Sequence, residues 1–420
     1  MKNNNLQRFL TERQSEIAII TALGMVLGFL CARAVLSLSM FLFFLNAIWN
    51  TSPKSWLKQT WWLAGLAWVA MYALSYFWSD DIPYWQERFQ VKFPYVILPI
   101  AFGLLRPLSF NYLRWLSYGM IIMVFAGCVY SLSFYFADSE KILSEYFYAK
   151  VFPTPAYKDH IRFSIFVAWL IIWCSFIYRK LSLQLDKILF ICAIIFFTLY
   201  LHILAVRSGL LVLYTFAFLY VIYLFLRKKI ILAGSITMVT IALGFTIYKT
   251  VPSFRLKLHY TLYSLSEYKK GNKSADFSDI GRIISYELAA ELIKENPLLG
   301  VGAGDIREEM KKKYEIYSPD TKPEQRIVPH NQIMEVALAG GMITLSIFLY
   351  WLFFPILKVK KNRDGFYLLA TWFVLLVTMM VEAMLEVQLG VFVYLFCILW
   401  IMKATQRNNH INPPDFATAE

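Results

Sequence analysis

Long runs of apolar residues are the feature that most limits how this chain can fold. Residues 208–226 and 230–248, for example, contain no Asp, Glu, Lys or Arg, and only 16% of all 420 residues are charged. A soluble domain carries about 25% charged residues. A run of about 20 apolar residues is long enough to cross a bilayer as a helix, and lipid offers no water to unpaired backbone groups. The apolar residues do not alternate with polar ones, which argues against a barrel. The sequence therefore predicts an all-α polytopic membrane protein.

Twelve transmembrane helices are predicted. Their approximate bounds are 17–31, 34–49, 61–78, 93–105, 111–136, 161–178, 187–205, 208–226, 230–251, 332–356, 366–386 and 388–402. The first leads directly into the second and lacks a convincing cleavage site, so it is expected to be a retained helix. The predicted organisation is nine helices in 1–251, a large loop in 252–331, three helices in 332–402 and a cytoplasmic tail in 403–420.

The basic residues orient these helices. The net charge is +13, but Lys and Arg cluster in short connections between spans, so nucleic acid is not an expected partner. With the N-terminus inside, 19 basic residues fall on cytoplasmic ends and connections and 8 on the opposite short ones. Because cytoplasmic connections carry the excess of Lys and Arg, both termini are expected inside. The loop 252–331 is then expected on the periplasmic face of the inner membrane.

The large polar segment is predicted to form a small folded cap. Residues 252–335 contain 13 basic and 13 acidic side chains, so the segment is not polybasic. A helix is expected from about Arg282 to Glu295, capped by Ser278 or Asp279 and stopped by the Asn296-Pro297 pair.

A glycine-rich turn is expected to follow this helix. Gly300, Gly302 and Gly304 supply the turn. Asp305 and Glu308 have capping-box spacing and predict a second helix through about Lys313.

His330 closes the polar segment and directly precedes a predicted span. Pro329 prevents the preceding chain from continuing as helix, and the span begins at Asn331 or Gln332, so His330 is expected at a helix N-terminus. The helix dipole disfavours a charged imidazolium there, and a neutral imidazole can act as a general base. Alternatively, His330 is an ordinary histidine at the membrane surface.

Three arginines are expected near the same face. Arg207 lies between two apolar runs, where a charge is costly unless it faces a partner or a watery cavity, although it could also extend to the headgroups. Arg282 begins the predicted loop helix, where it could equally be solvated, and Arg162 opens the sixth span. Guanidinium groups suit phosphate oxygens, so together they suggest a site for a phosphorylated lipid.

These residues resemble the O-antigen ligase family, which includes O-antigen polymerases and bacterial protein O-oligosaccharyltransferases. The resemblance rests on motifs in order between about 200 and 345. They are Arg207, Gly281-Arg282, Asn296-Pro297-Leu298-Leu299-Gly300-Val301-Gly302, His330-Asn331, Glu335 and Gly340-Gly341.

The resemblance implies a GT-C-type glycosyltransferase that acts outside the cytoplasmic membrane. Arg207 and Arg282 would bind the pyrophosphate of the donor, an undecaprenyl-pyrophosphate-linked glycan, and His330 would activate a hydroxyl of the acceptor, lipid A-core. Arg162 is added by its position alone. No cofactor or metal is expected, although Asp80-Asp81 is an acidic pair that could hold a cation.

Other functions remain open. An O-antigen or exopolysaccharide polymerase would use a second lipid-linked glycan as acceptor, and a protein O-oligosaccharyltransferase would use a Ser or Thr hydroxyl. A lipid-linked sugar transporter is the non-enzymatic alternative. Transporters bind near the bilayer midplane and often contain internal repeats, whereas these charges gather at one face and no convincing repeat is present.

Overall fold

The structure, a computed structural model, describes residues 12–49, 60–146, 151–157, 159–270, 278–319, 321–359 and 361–405. Of the predicted tail 403–420, residues 406–420 lie outside the described residues. The α-helices are α1 (Gln14–Cys31), α2 (Arg33–Ile48), α3 (Trp61–Leu74), α4 (Ile82–Gln90), α5 (Pro94–Leu104), α6 (Phe110–Ala137), α7 (Ser139–Tyr146), α8 (His160–Tyr178), α9 (Gln184–Leu204), α10 (Arg207–Leu226), α11 (Ile230–Thr250), α12 (Pro252–Lys269), α13 (Ser278–Glu295), α14 (Ile306–Tyr317), α15 (Gln332–Phe353), α16 (Arg363–Val381) and α17 (Gln388–Thr405).

The all-helical prediction is confirmed. The described residues contain no strand, and nine of their helices are long and apolar enough to cross a membrane. Three other predicted spans are also helical, but α2, α3 and α5 have only 16, 14 and 11 residues. The chain is a multi-pass membrane protein, and the count of twelve spans stays a prediction.

Two of the spans form the centre of the helical bundle. The helices α8 and α17 carry apolar side chains on all of their faces, and most of these side chains are buried. A helix that is apolar all round is buried in a core or in lipid, and here protein contacts cover it. By contrast, α11 has few buried residues and lies at the edge of the described bundle. The N-terminal end of α8 carries Arg162 and is therefore held firmly in the core.

The glycine motifs of the polar segment and of α15 pack against each other. Gly340 and Gly341 interrupt α15 with non-helical backbone angles. The interruption frees backbone groups, and the turn after α13 pairs with them. The N–H of Val301 donates to the carbonyl of Leu338 at 2.8 Å, and the N–H of Met342 donates to the carbonyl of Pro297 at 2.8 Å. Non-helical backbone within a span requires partners of this kind, which explains why both glycine motifs occur together.

Replacing Gly341 by Ala is expected to destabilise the fold. Gly341 has a φ of +63°, and a Cβ would overlap the carbonyl of Leu298. The backbone conformation alone costs a non-glycine residue about 1–3 kcal/mol. Thermal unfolding in detergent should show a clearly lower Tm. Gly234→Ala is the matched control, because a Cβ on Gly234 meets nothing within 4 Å. Equal Tm values for the two variants would contradict the expected clash.

The capping box predicted for α14 is wrong. Asp305 is the N-cap residue but makes no capping hydrogen bond. Its carboxylate instead accepts from the backbone N–H groups of Asp80 and Asp81, at 2.9 Å each for the nearer oxygen. Asp81 in turn caps α4 by accepting from the N–H of Tyr84 at 3.0 Å. These acidic residues satisfy backbone donors and fasten the glycine turn to the end of the third predicted span.

The first loop helix also differs from the prediction. It begins at Ser278, so Ser278 and Asp279 lie within α13, and the residues that precede it lie outside the described part. The helix ends at Glu295, as Asn296-Pro297 predicted. The preceding helix α12 was not predicted, and it brings a lysine to the site described next.

Candidate active site

The backbone of His330 is positioned by neighbours on two helices. Asn331 caps α15, its Oδ1 accepting from the N–H groups of Ile333 at 2.9 Å and Met334 at 3.2 Å. The hydroxyl of Tyr286 on α13 donates to the His330 carbonyl at 2.9 Å. The prediction that the span begins at this point is confirmed. His330 therefore directly precedes the capped N-terminus of α15 and contacts α13 through its carbonyl group.

Glu382 joins three of the four predicted site residues. It directly follows the end of α16 at Val381, before the predicted end of that span at 386. Its Oε2 lies 3.0 Å from His330 Nδ1, and Nη2 of Arg162 donates to its Oε1 at 2.7 Å. Nη2 of Arg282 lies 3.9 Å from Oε2. One carboxylate thus links α8, α13 and the start of α15.

The charge of Glu382 is stabilised in spite of its burial. Its side chain is only 7% exposed, and burial by itself raises the pKa of a carboxyl group. The hydrogen bond with His330 and the positive charges of Arg162 and Arg282 outweigh burial and lower the pKa of Glu382 to about 2. Glu382 is therefore ionised throughout the neutral range. It was missed at the sequence level, although an acidic residue in an apolar run is a recognised signal of function.

Arg207 stands at the first position of α10. Ala205, in a left-handed conformation with φ +50°, ends α9 sharply, and Val206 leads into the next helix. The Arg207 guanidinium forms an ion pair with Asp279, three residues before Arg282 on α13. Its Nε and Nη2 atoms are buried and have no hydrogen-bond partner among the described residues. The described residues therefore leave part of the hydrogen-bonding capacity of Arg207 unused.

Lys257 on α12 was missed by the sequence analysis. Burial lowers its pKa to about 8, and the positive charges of Arg207 and Arg282 act in the same direction, while Asp279 opposes them. Lys257 Nζ and the guanidinium carbon of Arg207 each lie 5.9 Å from the centre of the Tyr260 ring, so the two cations are neighbours. Arg162, Arg207, Lys257 and Arg282 form what we call the cationic cluster. No signal in the sequence distinguished Lys257 from the other basic residues of the loop.

A second buried network holds the turn that carries Glu382. Gln332 donates to Glu386 Oε1 at 2.7 Å and accepts from the N–H of Leu385 at 2.6 Å. Lys92 Nζ donates to Glu386 Oε2 at 2.7 Å, and Arg88 Nη1 donates to the Glu386 carbonyl at 2.9 Å. Neither Lys92 nor Arg88 was predicted as a site residue. In the structure they fix the turn after α16.

A cleft of 660 Å³ opens next to His330, between α14 and the chain that leads to α15. His330 thus contacts Glu382, which links it to the cationic cluster, and it also lines this cleft. The described residues contain no group of three or more His, Cys, Asp or Glu side chains arranged to hold a metal ion.

A comparison with protein families gives a match. Residues 188–349 match a family model described as O-antigen ligase. No curated protein matches the chain at a significant level. The matched region contains Arg207, Lys257, Arg282 and His330, whereas Arg162 and Glu382 lie outside it.

Proposed function

We propose, from the match of residues 188–349 to the O-antigen ligase family model, that the chain is an O-antigen ligase of the GT-C type. It would transfer a glycan from undecaprenyl pyrophosphate to a sugar hydroxyl of lipid A-core, on the periplasmic face of the inner membrane. The observation that carries the proposal is the contact of Glu382 with His330, Arg162 and Arg282. This contact unites a candidate base with cations suited to a pyrophosphate.

His330 is proposed to take the proton of the acceptor hydroxyl. When Nδ1–H donates to Glu382, the lone pair of the imidazole resides on Nε2. Nε2 is then the atom that accepts the proton. The Glu382 carboxylate fixes the ring and stabilises the imidazolium that forms, as the acid of a Ser-His-Asp triad does.

The cationic cluster is proposed to bind the leaving group. As the acceptor oxygen forms a bond to the anomeric carbon, the bond from that carbon to the phosphate oxygen breaks. The lipid pyrophosphate leaves with the electron pair, and attack from the opposite side inverts the anomeric centre. Arg207, with its unpartnered Nε and Nη2 atoms, Lys257 and Arg282 stabilise the charge that develops on the phosphate. Because these side chains neutralise the pyrophosphate, the transfer is proposed to proceed without a metal ion.

The break in α15 is a feature that transporters also have, but its backbone groups are not free here. A broken span such as α15 occurs in transporters, where the freed backbone groups bind substrate or ions. Here the groups at Leu338 and Met342 are paired with the turn at Pro297 and Val301 instead. The break serves to anchor the loop.

Glycan transfer by purified protein tests the proposal. Purified protein, lipid-linked glycan and lipid A-core are incubated, and the product is separated on a gel. Absence of transfer by the wild-type protein would refute the enzymatic assignment. The glycan profile of a deletion strain separates ligase from polymerase. Long chains that accumulate on the carrier lipid indicate a ligase, whereas single capped repeats indicate a polymerase.

Arg207→Ala and Arg282→Ala are expected to impair use of the donor. A lost charge-assisted hydrogen bond costs about 1.5–3 kcal/mol, so kcat/KM for the donor should fall about 10- to 100-fold for each variant. Acceptor KM should change little. Lys294→Ala is the matched control, because Lys294 is exposed near the far end of α13. Equal losses for donor and acceptor would contradict the pyrophosphate role.

A further inference from the structure

The cleft beside His330 is built by two elements that hydrogen-bond to each other. It lies between α14 and residues 323–330, and the hydroxyl of Tyr314 on α14 donates to the Ile327 carbonyl at 3.2 Å. Arg307 and Arg326 line it together with His330. Within the described part of the chain, no member of the cationic cluster lines it. His330 is therefore the residue that the cleft and the donor side have in common.

Most of the charges in the cleft neutralise each other. Lys311 pairs with Glu308 at 3.3 Å, and Arg326 pairs with Glu315 at 3.1 Å. Arg307 is different, because it forms no ion pair with any described carboxylate. Its guanidinium carbon lies 4.0 Å from the centre of the Tyr84 ring. The cleft therefore has one positive charge in excess, and this charge is on Arg307.

The guanidinium group of Arg307 is positioned by the buried ring of Tyr84. Tyr84 is only 3% exposed, and Arg88 donates a hydrogen bond to its hydroxyl from within the buried network. A guanidinium stacked on an aromatic face keeps its N–H groups available for an oxyanion. Arg307 is thus an oriented cation at the edge of a cleft that ends at the candidate base.

We infer that the cleft binds the acceptor saccharide through an anionic substituent, a phosphate or a carboxylate, which Arg307 receives. The inference rests on the proposed function and specifies its acceptor: a charged saccharide rather than a neutral one. The anionic group is bound by Arg307 while a hydroxyl of the same saccharide reaches Nε2 of His330. The cleft volume of 660 Å³ accommodates a few sugar rings.

Three forms of the acceptor distinguish the anionic groups. The probes are core oligosaccharide released from lipopolysaccharide by mild acid, the same material dephosphorylated with hydrofluoric acid, and the same material with its carboxyl groups reduced. Binding to His330→Ala protein is measured by calorimetry, which requires no transfer. The native probe should bind about tenfold more tightly than one of the two treated probes, since a charge-assisted contact is lost. The weaker probe identifies the group. Equal affinity for all three probes would overturn the inference.

Arg307→Ala should abolish this preference. The affinity of the variant for the native probe should fall about tenfold, to the affinity measured for the weaker treated probe. Lys312→Ala is the matched control, since Lys312 lies on the same helix, pairs with Glu309 at 2.6 Å and does not line the cleft. It should keep the wild-type preference. A preference that survives in Arg307→Ala would also overturn the inference.

The transfer assay separates this inference from the proposed function. In protein with an intact His330, Arg307→Ala should raise acceptor KM about tenfold and leave kcat and donor KM nearly unchanged. If the wild-type protein transfers no glycan but binds the native probe through Arg307, the proposed function fails and the anionic saccharide site stands. If transfer occurs and acceptor KM is the same in Arg307→Ala, the site fails and the proposed function stands.

Discussion

His330→Ala is expected to reduce glycan transfer by about 10²- to 10⁴-fold, the range that general acid–base catalysis contributes. The imidazole is the group that borders both the cleft and, through Glu382, the cationic cluster. Its loss removes the acceptor for the hydroxyl proton but leaves the guanidinium groups in place. The effect should therefore appear in kcat measured with both substrates saturating, while donor KM changes little.

A second histidine provides the control for this experiment. His259 on α12 is also in the polar segment, is exposed, and lies 3.2 Å from the Tyr248 hydroxyl. His259→Ala should transfer glycan at nearly the wild-type rate. His330→Ala protein with wild-type kcat would refute the base assignment. A donor KM that rises as much as kcat falls would instead indicate that His330 binds the pyrophosphate.

Replacement of Glu382 is expected to have the next largest effect, and on two properties. Glu382→Ala leaves Arg162, a buried cation, without its nearest partner. Breaking a buried ion pair from one side costs about 3–5 kcal/mol, so thermal unfolding should occur at a clearly lower temperature. Transfer should also fall strongly because the His330 ring loses the carboxylate that orients it.

Glu382→Gln separates these two properties. The amide keeps the shape of the side chain and its oxygen can still accept from Arg162, so stability should fall less than in Glu382→Ala. The amide can also donate to Nδ1, which favours the imidazole tautomer whose Nε2 already carries a proton. Transfer should therefore fall by at least about 10²-fold in Glu382→Gln.

Three measurements complete the test of Glu382. Because its pKa is near 2, the wild-type carboxylate is ionised at every pH of the assay, so its titration should not appear in the wild-type pH profile. An amide does not ionise, so raising the pH should not rescue Glu382→Gln. Glu382→Asp, which restores the charge, should recover part of the activity. Glu287→Gln on the exposed face of α13 is the matched control. A Glu382→Gln protein as active as this control would exclude the orienting role.

The sequence predicted the class of the fold and the local position of the site residues. Long apolar runs that do not alternate with polar residues predict helices in lipid, because each backbone group is then paired within its own segment. Pro329 and Asn331 mark the start of α15, so the helix-terminal position of His330 followed from local chemistry alone. Asn296-Pro297 ended α13 for the same reason.

Predictions that depended on a choice between local and distant partners were less successful. Asp305 and Glu308 have capping-box spacing, but the Asp305 carboxylate binds the backbone of Asp80 and Asp81. Those residues are more than two hundred positions earlier in the chain. Spacing predicts the nearest available partner, and helix packing can bring a different donor within reach.

The sequence by itself determined that this chain is a helical membrane protein with a polar segment ending in a histidine at a helix start. It also singled out Arg162, Arg207 and Arg282. Only the tertiary structure decided that Arg162, Arg282 and His330 meet on Glu382, and that Lys257 and Arg307 stand on the two sides of the site. Helical periodicity and cap signals act over a few residues. The distance between side chains on different helices is set by how those helices pack, which no local pattern records.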